Sequence, residues 1–398
     1  MRLKVKNNKK KLKAPKLRFP EFTDDWDKCE LGEILKYEQP TNYLVLSTDY
    51  DNSFETPVLT AGQSFILGYT DEINNIKEAS PENPVIIFDD FTTGSHYVDF
   101  SFKVKSSAIK LLDLKSRDKD FYFSYITLKN IKFIPKGHER HWISKFSGFK
   151  VYVPQINEQI KIGKFFKEID QLITLNQNKI SHIKDLKAGL LQKMFPKNGE
   201  TKPEIRFDGF TSDWKECRLG EVKDVRDGTH DSPKYQNKGF PLITSKNIKE
   251  SGLDMSNVSL ISFEDFNAIN QRSKVDIGDI IFGMIGTIGN PIILERDDFA
   301  IKNVALLKNG GSIDNRFLLQ LLKSPVFELY MKKENAGGTQ KFLGLSQIRN
   351  LNFLVPELSE QKKIGEFFSQ LDKLLTLYQR KVEHLQEQKK SLLKQMFI

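Results

Sequence analysis

The chain contains most of itself twice. The stretch PKLRFPEFTDDWDKCELGE from Pro15 returns 188 residues later as PEIRFDGFTSDWKECRLGE from Pro203, identical at 11 of 19 positions. A second match has an offset of 202: VPQINEQIKIGKFFKEIDQLITLNQNKI from Val153 and VPELSEQKKIGEFFSQLDKLLTLYQRKV from Val355. The copies end alike, in LLQKMF at 190–195 and LLKQMF at 392–397. Between these anchors the sequences diverge, and the second interior is 14 residues longer. Each copy therefore reads as a constant start, an unlike middle and a constant helix. A scaffold of two equal repeats has no reason to vary only the middle, whereas a reader of two different targets does.

Pro154 and Pro356 close a strand, and a helix follows each. Asn157 and Ser359 are the expected N-caps. Glu158 and Glu360 then sit in the first turn, where the helix dipole favours an anion. The helices are expected from about Asn157 to Phe195 and from about Ser359 to the C-terminus. A heptad runs through both. Its a positions are Ile162, Ile169, Asn176, Ile183 and Leu190 in the first helix and Ile364, Leu371, Tyr378, Leu385 and Leu392 in the second. The d positions begin Phe165, Leu172 and Phe367, Leu374. Apolar e positions widen the stripe. These a and d residues are the expected helix-pair interface. A pseudo-twofold relation pairs the helices antiparallel, with Asn176 and Tyr378 as a polar layer that sets the register. About 39 residues at ~1.5 Å each give roughly 58 Å, comparable to one or two turns of DNA at about 34 Å per turn.

The middles read as mixed α/β. Strand-like runs are Val85–Phe88, Ala108–Leu112, Phe149–Val153, Asp279–Phe282, Pro291–Leu294, Val304–Leu307 and Leu351–Val355, and helix-like runs are Asp120–Leu128 and Ile313–Lys323. The fold class is thus α+β: two globular mixed α/β domains joined by two long helices that pair as an antiparallel coiled coil. The expected divisions are a basic disordered arm (1–14), a first domain (15–154), a central helix (155–195), a linker (196–202), a second domain (203–356) and a C-terminal helix (357–398).

Polar loops carry the candidate DNA contacts, because Gln, Asn, Arg and Lys pair with purine edges and Ser and Thr serve bases or phosphates. In the first domain these are Gly62, Gln63 and Ser64, then Thr92 and Thr93, then Lys136, His138, Arg140 and His141. In the second they are Gly228, Thr229, His230, Ser232 and Lys234, then Ser245, Lys246 and Asn247, then Thr339, Gln340 and Lys341.

Net charge is a weaker guide. The chain has 61 basic and 52 acidic residues, but nine of the basic ones lie in residues 1–18, which hold no acid, so the remainder is formally neutral. Cys29 and Cys217, at matching positions, are too few for a zinc site or a disulfide framework and read as small buried thiols. No apolar run is long enough for a membrane span and no secretory signal is present, so a cytoplasmic protein is expected. A phosphate-cradling Gly-x-x-x-x-Gly-Lys-Ser/Thr loop, an Asn/Asp-Pro-Pro-aromatic methyltransferase stretch and a nuclease carboxylate core are all missing. No catalytic residue and no metal ligand is assigned.

The paired segments at 153–170 and 355–372 resemble the specificity subunits of type I restriction–modification systems. So do DGTHDSPKY at 227–235, GDIIFGMIGTIGN at 278–290, GGTQKFL at 337–343 and PVLTAGQSFILGYT at 57–70. The resemblance covers nearly the whole chain from Pro15. It implies two target-recognition domains, each reading half of a split, asymmetric site in double-stranded DNA. It also implies two modification (methyltransferase) subunits docked on the helices, and restriction (endonuclease and translocase) subunits beyond them. Adenine methylation, translocation and cleavage then belong to those partners, with S-adenosylmethionine, ATP and Mg expected there and no cofactor on this chain. The alternatives are a self-contained DNA methyltransferase or nuclease with diverged motifs, and a coiled-coil scaffold.

Overall fold

The computed structural model describes residues 4–5, 14–62, 64–135, 139–197, 199–250, 252–335 and 342–398. The chain divides into two compact units, residues 1–177 with 380–398, and residues 178–379.

Unit 1 contains β1 (Asp27–Glu30), β2 (Leu35–Glu38), β3 (Thr56–Leu59), β4 (Ile66–Thr70), β5 (Val85–Asp89), β6 (Ser95–Val98), β7 (Lys103–Val104), β8 (Ile109–Leu114), α1 (Phe121–Lys129) and β9 (Lys150–Val153). The long helix α2 (Ile156–Lys193) starts here. A four-stranded sheet runs β2-β8-β5-β6, a three-stranded sheet β4-β3-β7, and β9 pairs with β1. The central strand VIIF is apolar throughout because both its faces are covered. Ile86 and Phe88 point to a core shared with Phe123, Trp26 and Phe166, and Val85 and Ile87 to a second core with Leu59, Phe102 and Val104. Of residues 1–13 only Lys4–Val5 are described. They form a short ladder with Leu17–Arg18, where a free arm was expected. The paired strand takes up backbone groups that Leu17–Arg18 would otherwise leave open.

Unit 2 repeats the three sheets of this plan, with a short extra ladder of Ile248–Lys249 and Gly252–Leu253: β10 (Lys215–Arg218), β11 (Val225–Asp227), β12 (Phe240–Ile243), β13 (Ser259–Ile261), α3 (Phe263–Ser273), β14 (Ile280–Gly283), β15 (Gly289–Ile293), β16 (Ala300–Ile301), β17 (Val304–Leu307), α4 (Asn315–Lys323), α5 (Pro325–Glu334), β18 (Asn352–Val355) and the start of α6 (Leu358–Met396). Its sheets run β11-β17-β14-β15 and β13-β12-β16, with β10 paired to β18. The unlike middles thus share one topology.

The repeated Glu-Gln dipeptide fastens each domain to its helix. Glu158 takes Arg18 and Glu360 takes Arg206, each through two parallel hydrogen bonds of 2.6 and 2.7 Å respectively. Gln159 donates to the Pro154 carbonyl and accepts from the Asp120 amide at the N-cap of α1. Gln361 does the same with Pro356 and Asp314 at the N-cap of α4. The glycines four residues on allow close approach. A Cβ at Gly163 would collide with the Asp120 carboxylate, and one at Gly365 would lie 2.8 Å from the Arg316 Cβ. The helices begin at Ile156 and Leu358, so Asn157 and Ser359 lie inside the first turn and are not the caps; Gln155 and Glu357 carbonyls accept the first helical N–H groups.

The antiparallel pairing is visible within each unit. In unit 1 Lys389 of α6 donates to Asp170 of α2 at 2.5 and 2.6 Å, and Tyr122 adds a hydrogen bond at 2.7 Å. In unit 2 the equivalent Lys187 of α2 pairs with Asp372 of α6. The ends of the helices cap the domain cores: Phe397 stands 6.1 Å from Trp26, and Phe195 6.1 Å from Trp214. The buried stripe corrects the heptad assignment. Phe166, Ile173, Phe368, Val382 and Met396 at e are buried beside the a residues, whereas Leu172 and Leu374 at d are 44% and 41% exposed. Spacings of four and three residues from a to e and back describe the same seam with the frame moved. Asn176 is buried, but its amide donates to the Leu172 carbonyl of its own helix, and Tyr378 takes the Lys179 ammonium over its ring at 5.4 Å.

Candidate nucleic-acid interface

In unit 1, β3 and β7 run parallel, and Leu44 forms a parallel bridge with Val104 at the end of β7. Parallel strands leave their carboxyl ends on one edge of a sheet, the side where open α/β sheets bind ligands. The segments after these strands therefore meet on that edge: 46–48, 60–62 and the residues from Lys105. The β5–β6 turn joins them, since a Cβ on Gly94 would lie 2.7 Å from the Ala61 carbonyl. His96 stacks on Phe65 at 4.4 Å, and burial lowers the pKa of its imidazole. Thr93 adopts φ 62°, a left-handed conformation unusual for a β-branched residue, and its amide donates to the Asp89 carbonyl. Arg140 is exposed just before His141, whose amide donates to Asp90 at the start of the same turn.

Unit 2 builds the same edge from other residues. β12 and β16 are parallel, and Thr229 bridges Lys302 in parallel. The segments 230–234, 244–247 and 302–303 converge. His230 lies between Asn303 at 2.7 Å and Asp227 at 3.0 Å, and Arg272 takes the other Asp227 oxygen. The hydrogen bonds to Asn303 and Asp227 raise the His230 pKa. Asn303 itself adopts φ 54°. Lys302 donates to the Ser232 hydroxyl at 2.5 Å. Ser245 donates to the Ile285 carbonyl in the β14–β15 turn, and Leu343 donates to Met284 of that turn. The edge presents hydroxyl, imidazole and ammonium groups, a set suited to base edges and phosphates.

A profile of the type I restriction modification DNA specificity domain matches residues 23–185 and again residues 211–387. The chain is 31% identical over 366 residues to the Escherichia coli type I restriction enzyme EcoR124I/EcoR124II specificity subunit, covering 86% of each. The chain belongs to the family of type I restriction–modification specificity subunits. Another member, the MjaVIII specificity subunit of Methanocaldococcus jannaschii, is 24% identical over 95% of this chain and 92% of its own length. The crystal structure of the type I restriction–modification S subunit from M. genitalium has the same fold, with a TM-score of 0.69 at 17% identity, over 97% of this chain and 99% of that one.

On this specificity-subunit frame, Gly62, Ser64, Thr92, Thr93 and Arg140 lie at the edge of the first domain. Thr229, His230, Ser232, Lys234, Ser245 and Lys246 lie at the edge of the second. Three candidates are internal instead. His141 is buried against Phe133 at 5.1 Å, because its neighbour Trp142 anchors the turn in the core. Asn247 is buried and caps its own turn, bonding Thr244, Asp254 and Asn257. Gly228 is buried against the Ile301–Lys302 backbone, where a Cβ has no room. Gln63, Lys136, His138, Thr339, Gln340 and Lys341 lie outside the described residues. The sequence reading missed Lys105 and Lys302, which follow equivalent strands, and Asn303, which orients His230. The signal was faint but present: Val104-Lys105 and Ile301-Lys302 are each a β-branched residue and a lysine a few residues before an apolar strand.

Cys29 and Cys217 lie on the equivalent strands β1 and β10 and are half-buried, not fully buried as expected; burial pushes the Cys217 thiol up to about 11. No helix among the described residues is long and apolar enough to cross a membrane.

Proposed function

We propose that each domain reads one half of a bipartite, asymmetric site in double-stranded DNA, and that the helix pair sets the gap. One observation carries this reading. Two middles with unlike sequences build the same three-segment edge, so the frame is constant while the side chains on it differ. Modification subunits dock on the helices, where Leu172 and Leu175 repeat as Leu374 and Leu377, all four well exposed. The chain supplies address and spacing. Methyl transfer with S-adenosylmethionine, and ATP- and Mg-dependent translocation and cleavage, reside in the modification and restriction subunits.

The test is modular exchange. The complex of this chain with its modification subunits is given another member's segment in place of residues 34–152, and methylated adenines are mapped by sequencing. A change confined to one half-site, with the gap kept, supports the reading; a change in both halves contradicts it. Robust methyl transfer by the chain alone would instead favour a self-contained enzyme.

A further inference from the structure

The two edges can be aligned through backbone hydrogen bonds where the sequences cannot. The Lys105 amide donates to Leu59 at 3.1 Å as the Lys302 amide donates to Ile243 at 2.8 Å. This pairs Val104 with Ile301. Val104 then accepts from the Val45 amide at 3.0 Å, and Ile301 from the Thr229 amide at 3.0 Å. Val45 is therefore equivalent to Thr229, and Leu46 to His230. The segments themselves, YLVLS at 43–47 and DGTHD at 227–231, share no residue at any aligned position.

Leu46 is 92% exposed. Its side chain adds almost nothing to the core, yet its backbone is held firmly. The amides of Leu46 and Ser47 both donate to one Glu72 oxygen, at 2.8 and 3.0 Å, and Lys103 pairs with the other Glu72 oxygen at 2.7 Å. A fixed loop with a bare aliphatic tip is an arrangement for contact. Lys105, exposed one residue past the equivalent strand end, offers a cation for a neighbouring phosphate.

We propose that Leu46 is a specificity-determining residue of the first domain and reads the 5-methyl group of a thymine in the major groove. At the same place in the second domain, His230 presents a polar group to a base edge or phosphate. Thymine is the base whose major-groove edge carries a methyl group, and apolar side chains read it by contact. This rests on the reading of the strand-end edge as the DNA face.

The experiment uses the chain in complex with its modification subunits and duplexes bearing its own recognition sequence. Each thymine of the first-domain half-site is replaced in turn by deoxyuridine, which lacks only the methyl. Wild-type affinity is expected to fall about fourfold at one position, the scale of one buried methyl group. The Leu46→Ala complex is expected to bind thymine and uracil equally there, with the second half-site unchanged. Undiminished discrimination in Leu46→Ala overturns the proposal, as does a half-site where no thymine-to-uracil change matters. Impaired subunit assembly with discrimination intact also overturns it and assigns Leu46 to a protein contact. A wild-type complex with no sequence preference at all defeats the DNA-face reading first, and the proposal with it.

Discussion

Arg18 and Glu158, 140 residues apart in sequence, meet in a buried two-point ion pair with both hydrogen bonds at 2.6 Å. The pair joins the constant start of the first repeat to the first turn of its helix. Removing one partner strands the other charge away from water, so Glu158→Gln or Arg18→Met should destabilise unit 1 by about 3–5 kcal/mol. Replacing both with apolar residues should cost much less. Urea denaturation of the wild type and the three variants checks this; a double-variant loss equal to the sum of the two single losses would count against a coupled pair.

Gly163 makes a related prediction. A methyl group there collides with the Asp120 carboxylate that caps α1. Gly163→Ala should cost about 1–3 kcal/mol, the usual penalty for overpacking. The same change at Gly189 of the same helix, which has open space around it, should be neutral or stabilising. Thermal unfolding of the two variants separates packing from helix propensity.

These contacts show where the sequence was legible. Duplication and heptad placed both long helices to within two or three residues, because periodicity is a local signal. VIIF at 85–88 and VALL at 304–307 read correctly as strands, because a short apolar run is also a local signal. Glu158 was visible only as a first-turn residue and Gln159 was not singled out, since Arg18 and Asp120 reach them through tertiary structure. His141 and Asn247 looked like loop polars and turned inward, because their neighbours, Trp142 and Ile248, are core residues. Leu46 carried no signal at all; its meaning lies in a backbone equivalence that side chains do not encode.

The helix pair should tolerate charge exchange but not charge conflict. Asp170→Lys places like charges together with Lys389 and should lower stability by about 1 kcal/mol, with the partial exposure of both groups limiting the loss. Adding Lys389→Asp should restore most of it. The same exchange at Asp372 and Lys187 should act independently in unit 2. Chemical denaturation in a double-mutant cycle measures both couplings, and additivity of the single effects would argue against a direct pair.

His230 should make DNA binding depend on pH. Its pKa is raised by the hydrogen bonds to Asn303 and then Asp227, with partial burial and then Arg272 opposing. The charged imidazolium is thus favoured in the folded protein. Its contribution to folding stability is fully present below the ordinary histidine value of about 6.5 and is lost as pH rises through the elevated folded value, through which the positive charge available to DNA is lost as well. Affinity for cognate duplex should therefore fall as pH is raised across that window, and His230→Gln should flatten the profile. Fluorescence anisotropy at constant ionic strength reads the effect, and a persistent slope in the variant would place the titration elsewhere.

The exposed leucines make the last prediction. Leu175 lies three residues after Leu172, and Leu377 three after Leu374, so each pair shares one helix face. Their exposures, from 41% to 59%, leave little to lose in the isolated chain. Leu172→Ser with Leu175→Gln should keep the fold and unfolding midpoint nearly unchanged. It should weaken one modification-subunit site, because an apolar docking face loses roughly 1.5–3 kcal/mol per fully buried leucine. The matching pair at Leu374 and Leu377 should weaken the other site, and the four-residue variant both. Mass measurement of the assembled complexes should then show loss of one partner, the other partner, and both. Two partners retained in the four-residue variant would move the docking surface off this face of the helices.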